Sequence, residues 1–304
     1  MPKRSICRIF KKTAKLSRGS KKLSFFFIQM SDTQLGMAAT LSGPNNKKRT
    51  EMHERGLQPP QIEISTGFAY ETERFEKAIC AANRLKPKFI VVTGDLIQDP
   101  EDLSQLNELQ RITNTLNPNI KIHMAPGNCD VGNSPTAKLL SLYRERFGDD
   151  NYSFDHGMMH FVVINTSIAF DPTHVPQEWE AQLGFLKTDL ARATKKGQRC
   201  VVFGHHPLFG ETRDDPDSQM VIPIKRRRII LDLFEEHHVE AMFSGHWHKN
   251  KYSSDDGFRM IISGPVGVPL GPDPSGIRII KVFEKQLDDT YYGFESVPDF
   301  IEIE

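Results

Sequence analysis

The chain has 304 residues, 38% of them hydrophobic and 26% charged, with a formal net charge of zero. That is the composition of a folded globular protein and not of a disordered, collagenous or disulfide-framework chain. Zero net charge offers no global attraction to nucleic acid, and no apolar run is long enough to span a bilayer.

The neutrality hides an asymmetry. Residues 1–22 carry nine basic side chains and no acidic one, which leaves the remainder with 30 basic residues against 39 acidic. Such a segment reads as a disordered tail ahead of one catalytic domain over residues 23–304, with tethering to a membrane surface or nucleic acid as the alternative. A secretory signal does not fit, because the apolar run that follows, Phe25 to Met30, is short. Cys7, Cys80, Cys129 and Cys200 form no C-x-x-C pair, which argues against a disulfide framework and for the cytoplasm.

Along the chain, Leu23 to Met30, Phe89 to Thr93, Ile120 to Ala125, Cys200 to Phe203 and Ala241 to Phe243 read as buried strands. Each breaks at Gly, Pro or Ser into a loop. Phe75, Ile79, Ala82 and Leu85 form an apolar stripe at helical spacing that Pro87 stops, and Leu103, Leu106, Leu109 and Ile112 form another. Thr136 to Phe147, Glu178 to Lys196 and Pro223 to His238 read as further helices, with Lys225 to Arg228 as a solvated face. Residues 37–67 make a connection longer than a plain strand-to-helix link needs. Together with the Gly- and Pro-rich stretch 264–276, it is positioned to wall a site.

Metal-binding side chains follow the five strands: Asp32 and Gln34, Asp95, Asn128, His205, and His246 with His248. Taken singly, each has an ordinary reading. Gly94-Asp95 could be a turn, His205 and His206 satisfied imidazoles at a strand end, and His246 and His248 two rings on one face of a strand. Together they imply convergence, because strand ends along one edge of a layered sheet lie side by side. Carboxylate and amide oxygens mixed with imidazoles suit Mn, Fe or Zn better than Ca, whose cages are all oxygen. Two such ions about 3.5–4 Å apart can clamp a phosphoryl group and activate water for in-line attack.

The segments SDTQ, TGDLIQD, GNCD, GHHP and SGHWH resemble, in order, the five signature blocks of the calcineurin-like metallophosphoesterases, over roughly residues 23–283. SDTQLGM, GNCDVGNSPTAKLL with FGDDNYSFDHG, and GPDPSGIRII resemble most the calcineurin-like phosphoesterase domain-containing protein 1 group, of protein serine/threonine phosphatase type. The resemblance implies an α/β fold, a four-layer α/β/β/α sandwich of two mixed sheets flanked by helices. It also implies a dinuclear metal centre whose metal-bound hydroxide is the nucleophile. Asp32 and His248 would bind the first metal, with Gln34 where most members have His. Asp95 would bridge, and Asn128, His205 and His246 would complete the second. Cys129 stands where many members carry a His thought to protonate the leaving group. Asp130 would orient the Asn128 loop, and His206 is a further candidate proton donor.

The expected activity is metal-dependent phosphoester hydrolysis, with a phosphorylated protein or small phosphomonoester as substrate. A phosphodiesterase or nucleotide hydrolase is the alternative within the class. A degenerate scaffold, marked by Gln34 and Cys129, is the alternative outside it. Beyond the tethering alternative for the basic tail, no clear nucleic-acid binding is expected, and the oligomeric state is left open.

Overall fold

A computed structural model describes residues 23–54 and 56–302, so the basic tail lies outside the described residues. Strand β1 (Leu23–Met30) is followed by helices α1 (Met37–Leu41), α2 (Lys47–Glu54) and α3 (Ala69–Leu85). Next come β2 (Phe89–Thr93), α4 (Leu103–Thr113), β3 (Lys121–Ala125), α5 (Asn128–Val131) and α6 (Ala137–Phe147). The second half runs β4 (Tyr152–His156), β5 (Met159–Val163), α7 (Thr166–Phe170), α8 (Pro176–Lys195), β6 (Arg199–Phe203) and α9 (Ile224–Glu236). It ends with β7 (Val239–Ser244), β8 (Lys251–Asp255), β9 (Phe258–Ile262), β10 (Gly276–Phe283) and β11 (Leu287–Gly293).

The strands form a five-stranded sheet in the order β11, β10, β1, β2, β3 and a six-stranded sheet in the order β4, β5, β6, β7, β9, β8. Both are mixed. In the first, β1, β2 and β3 run parallel and β10 antiparallel to β1; in the second, β5, β6, β7 and β9 are parallel between antiparallel edges.

The sequence of β1 shows why two sheets stack. Its apolar residues serve both faces: Phe25 and Phe27 enter a cluster with Phe161, Phe203 and Phe243 of the other sheet, while Phe26, Ile28 and Met30 pack toward the helices. A strand apolar on both faces has to be covered on both. Phe27 stacks on Phe89 at 4.8 Å and meets the edges of Phe161 and Phe203 at 5.5 and 5.7 Å, the tilted geometry aromatic rings favour. The outcome is the α/β architecture the resemblance implied, two mixed sheets flanked by helices.

All five anticipated strands form, β1 and β2 with the anticipated bounds. The helices also form, with caps that explain their starts. Asp102 accepts from the Ser104 and Gln105 N–H groups ahead of α4, and Thr136 accepts from Leu139 N–H ahead of α6. Three expectations change. Residues 37–67 hold two short helices instead of a plain loop. Leu103, the first member of its stripe, is 60% exposed, because it opens the helix directly after the cap. The Lys225–Arg228 run is only half solvated: Arg227 is fully buried and donates to the carbonyls of Ile222, Arg213 and Asp215, while Arg226 donates to those of Ala169 and Phe170. Irregular segments leave carbonyls unpaired, and a guanidinium fork can satisfy several at once.

Candidate metal centre

The carboxyl ends of β1, β2, β3, β6 and β7 meet at one edge of the sandwich. A buried polar network fastens the two sheets just beneath it. Gln29, on the inter-sheet face of β1, donates to Thr93 Oγ1 and the Ser244 carbonyl, both at 3.0 Å, and accepts from Ser263 Oγ at 3.0 Å. Arg278 Nε in turn donates to Ser263 Oγ at 2.8 Å. Groups from four strands, with Ser263 directly after β9, are therefore tied together where the ligand-bearing loops begin.

Those loops are bent hard. Of the nine non-glycine residues with positive φ among the described residues, five are candidate ligands: Asp32, Gln34, Asp95, His246 and His248, with φ from 39° to 71°. Left-handed backbone costs an L-residue free energy, and it concentrates where function requires a side chain to be aimed. The strand placement considered for His246 and His248 does not hold, since β7 ends at Ser244 and both rings reach the centre from a loop. Gly245 allows that loop to pass, because a Cβ there would collide with Ser31 and the Asp32 carboxylate.

Asp32, Asp95 and His248 are buried and present ligand atoms that all lie within 4.8 Å of one another. The three imidazoles are aimed by backbone carbonyls. His205 Nδ1 faces the Thr93 carbonyl at 2.9 Å, His248 Nδ1 the Val268 carbonyl at 2.6 Å, and His246 Nε2 the Gln219 carbonyl at 2.9 Å. A carbonyl only accepts, so in each ring that nitrogen carries the proton and the other presents a lone pair.

The inward nitrogens then face other acceptors. His205 Nε2 lies 3.0 Å from Asn128 Oδ1, 3.3 Å from Asp95 Oδ1 and 3.2 Å from His246 Nδ1, and His248 Nε2 lies 3.2 Å from Asp32 Oδ1. Lone pairs gathered this closely need cations between them. Outer carbonyls that fix the tautomer of inner ligating nitrogens are the usual support for metal-bound histidines. The residues present therefore fit divalent metal ions.

The remaining candidates take distinct places. Gln34 donates its amide N–H to Cys129 Sγ at 3.0 Å and to Gln98 Oε1 at 3.3 Å, and its buried Oε1 has no partner among the described residues. Asn128 starts α5, with its amide oxygen toward His205. Cys129 is half-buried beside Gln34, Gln98 and Asn128, and its N–H donates to Asp95 Oδ1 at 2.8 Å; burial and the Asp95 and Asp130 charges push its thiol up. Asp130 accepts from the N–H groups of Leu96, Ile97 and Gly127, joining the Asp95 and Asn128 loops. His206 is buried, stacked on Phe170 at 4.8 Å and 4.4 Å from the His246 ring, with Nε2 unpartnered among the described residues. Burial and the neighbouring imidazoles hold it well below the usual histidine range.

Sequence reasoning missed Thr166. Its hydroxyl accepts from the N–H groups of both His205 and His206, at 3.0 and 2.8 Å, and so shapes the loop that carries them. The available signal was a sixth strand end, where Phe161 to Ile164 runs into Asn165-Thr166-Ser167.

The model of the calcineurin-like phosphoesterase family matches residues 27–250. Among curated proteins, the chain is 31% identical to the serine/threonine-protein phosphatase CPPED1 of Danio rerio, over 90% of this chain and 86% of that one. It is 33% identical to the protein of the same name from Homo sapiens, over 74% of each. Among solved structures, a dimetal phosphatase from Danio rerio superposes with a TM-score of 0.64 at 16% identity, covering 90% of this chain and 97% of that one, a likeness of fold. No helix among the described residues is long and apolar enough to cross a membrane. With its matching family model and the lone-pair cluster at its sheet edge, the chain belongs to the calcineurin-like phosphoesterase family and is a metal-dependent phosphoester hydrolase.

Proposed function

We propose that the protein is a phosphomonoesterase acting on phosphorylated protein, with two divalent ions, Mn, Fe or Zn, held by Asp32, Gln34, Asp95, Asn128, His205, His246 and His248. The observation that carries the reading is the set of inward imidazole nitrogens facing only carboxylate, amide and imidazole acceptors. Divalent ions bound there would polarise the phosphoryl oxygens and supply an activated water for in-line displacement.

The chain's own residues do the positioning. Asp95 stands between the two groups of ligands, near His205 on one side and grouped with Asp32 and His248 on the other, and is the candidate bridge. Asp130 keeps the Asn128 loop against the Asp95 loop, and Thr166 keeps the His205 loop in place. Cys129, beside Gln34, and His206, beside the His246 ring, are the two candidate proton donors near the centre, and the His206 Nε2 has no partner among the described residues. The names of the relatives support a phosphoserine or phosphothreonine substrate. We further infer one catalytic domain over residues 23–304, because β1 and β11, from opposite ends of the described chain, belong to one sheet. The unpaired Cys80, Cys129 and Cys200 favour the cytoplasm.

The test is a panel of phosphopeptides, aryl and alkyl monoesters, diesters and nucleotides, assayed with several divalent metals. Monoester turnover should dominate, and Asp95→Asn should lower it by at least about a hundredfold, because a neutral amide bridges cations poorly. A preference for diesters, or full activity in Asp95→Asn, would sink the proposal.

A further inference from the structure

Beside the candidate centre, on the His246 side, lies a cleft of about 570 Å³ lined by Leu57 after α2, by Met220 and Val221 of the loop before α9, and by Trp247 and Lys249. That volume is within the range of sites that enclose part of a ligand. The cleft and the centre share a wall. The Gln219 carbonyl that aims His246 belongs to the cleft lining, and Trp247 stands between His246 and His248. The indole is fixed in place: Nε1 donates to the Met220 carbonyl at 2.7 Å, and Gly210 closes on its benzo ring, where any Cβ would collide. A group held against Trp247 is therefore held next to a group bound at the centre.

The charges around the cleft are unequally satisfied. Glu211 pairs with Lys251, and Asp215 accepts from the N–H groups of Gly210, Glu211 and Thr212 at 2.7, 2.9 and 3.0 Å. Lys249 has no carboxylate partner among the described residues; its ammonium lies over the Trp247 ring, 5.2 Å from the centroid. The free lining is therefore apolar, with one cation available at its rim. A cation resting on an exposed indole gains too little to satisfy it against an arriving carboxylate.

We propose that this cleft is a substrate-selecting subsite, which takes an apolar side chain of a phosphorylated peptide against Leu57, Met220 and Trp247 while Lys249 pairs with an adjacent acidic residue. The proposal rests on the phosphatase reading above and names which phosphopeptides that site prefers. A nucleobase fits less well, because stacking on the covered face of the indole would displace the ammonium without offering it a negative charge. An acidic peptide uses the same ammonium.

The experiment compares phosphoserine peptides identical except for one flanking pair, Leu-Asp, Leu-Lys or Gly-Asp, with Mn²⁺ present. The Leu-Asp peptide should show a kcat/KM about tenfold or more above Leu-Lys, the size of one close charge pair. Lys249→Glu should reverse that order, and Leu57→Ser, on a separate segment, should bring Leu-Asp down toward Gly-Asp. A binding readout stands apart from turnover. The chain has two tryptophans, so Trp179→Phe leaves Trp247 as the sole indole, and its emission should respond to the phosphonate analogue of the Leu-Asp peptide at lower concentration than to that of Leu-Lys. If the emission ranks the peptides this way but no phosphate is released from any ester, the subsite stands and the phosphatase reading fails. If all peptides turn over equally, with no reversal in Lys249→Glu, the subsite is refuted and the phosphatase reading survives. Loss of nucleoside monophosphate hydrolysis in Lys249→Glu, with the peptides unaffected, would also overturn the proposal.

Discussion

Gln34 and Cys129 set the local character of the centre. The Gln34 amide nitrogen is engaged by Cys129 and Gln98, which turns its unpartnered oxygen into the only ligand atom it can offer. A neutral amide oxygen is a weaker donor to late divalent ions than an imidazole nitrogen. Gln34→His should therefore lower the dissociation constant of the weaker-bound metal, read by titration with Mn²⁺ or Zn²⁺; equal or weaker affinity would place Gln34 outside the coordination sphere. Cys129 bears on the leaving group. A thiol is a poor proton donor to an alkoxide, and a missing general acid forfeits about 10²–10⁴ in rate, most for the hardest leaving groups. Aryl phosphates should turn over much faster than alkyl ones, and Cys129→His should narrow the gap in kcat/KM. A flat leaving-group series in the unaltered protein would show that the proton comes from elsewhere, with His206 the nearest alternative.

Among the elements, β5 and α8 are joined by a charged bridge remote in sequence from every candidate ligand. The His160 ring, 1% exposed on β5, lies 2.6 Å from Asp155 on β4 and 2.7 Å from Asp189 on α8. Arg192 and Lys196 approach the same carboxylates. Burial alone would lower the imidazole, but the two carboxylates outweigh it and its pKa is raised; those of Asp155 and Asp189 are lowered, the His160 partnership overcoming their own burial. For the raised histidine, the stabilisation is complete below its unfolded value of about 6.5 and is lost as pH rises through the folded value. For the lowered carboxylates it is complete above about 3.9 and is lost as pH falls through theirs. The bridge should thus stabilise most between about pH 4 and 6.5. Thermal melts should show His160→Gln losing more stability at pH 6 than at pH 9, and an equal loss at both would contradict the bridge.

Element by element, what was legible followed physical cause. Strands whose runs are apolar on both faces, such as β1 and β2, could be read because burial dictates their composition; so could helices with a side-chain cap, such as α4 and α6. The edge strands β4, β8 and β11 are partly exposed and carry no such run. Arg226 and Arg227 looked solvated because the carbonyls they satisfy belong to the end of α7 and to the loop before α9. In the centre, the ligand candidates were legible because strand ends converge. The Thr93, Gln219 and Val268 carbonyls that aim the imidazoles were not, since a backbone group leaves no mark in a sequence.

For the molecule as a whole, the two sheets are joined at their functional edge by Gln29, Ser263 and Arg278, directly below buried carboxylates and inward-facing lone pairs. Ligands that bind only the folded state stabilise it in proportion to the logarithm of their concentration over the dissociation constant. Metal loading should therefore raise Tm, and chelation should lower it. The central claim is that this edge holds two divalent ions bridged by Asp95, and metal content is its most direct measure. Purified protein loaded with Mn²⁺ or Zn²⁺ and dialysed should retain two ions per chain by mass spectrometry, and Asp95→Asn about one or fewer, with monoester turnover falling in parallel. Protein that retains no stoichiometric ion, or Asp95→Asn that keeps both ions and its turnover, would contradict the account.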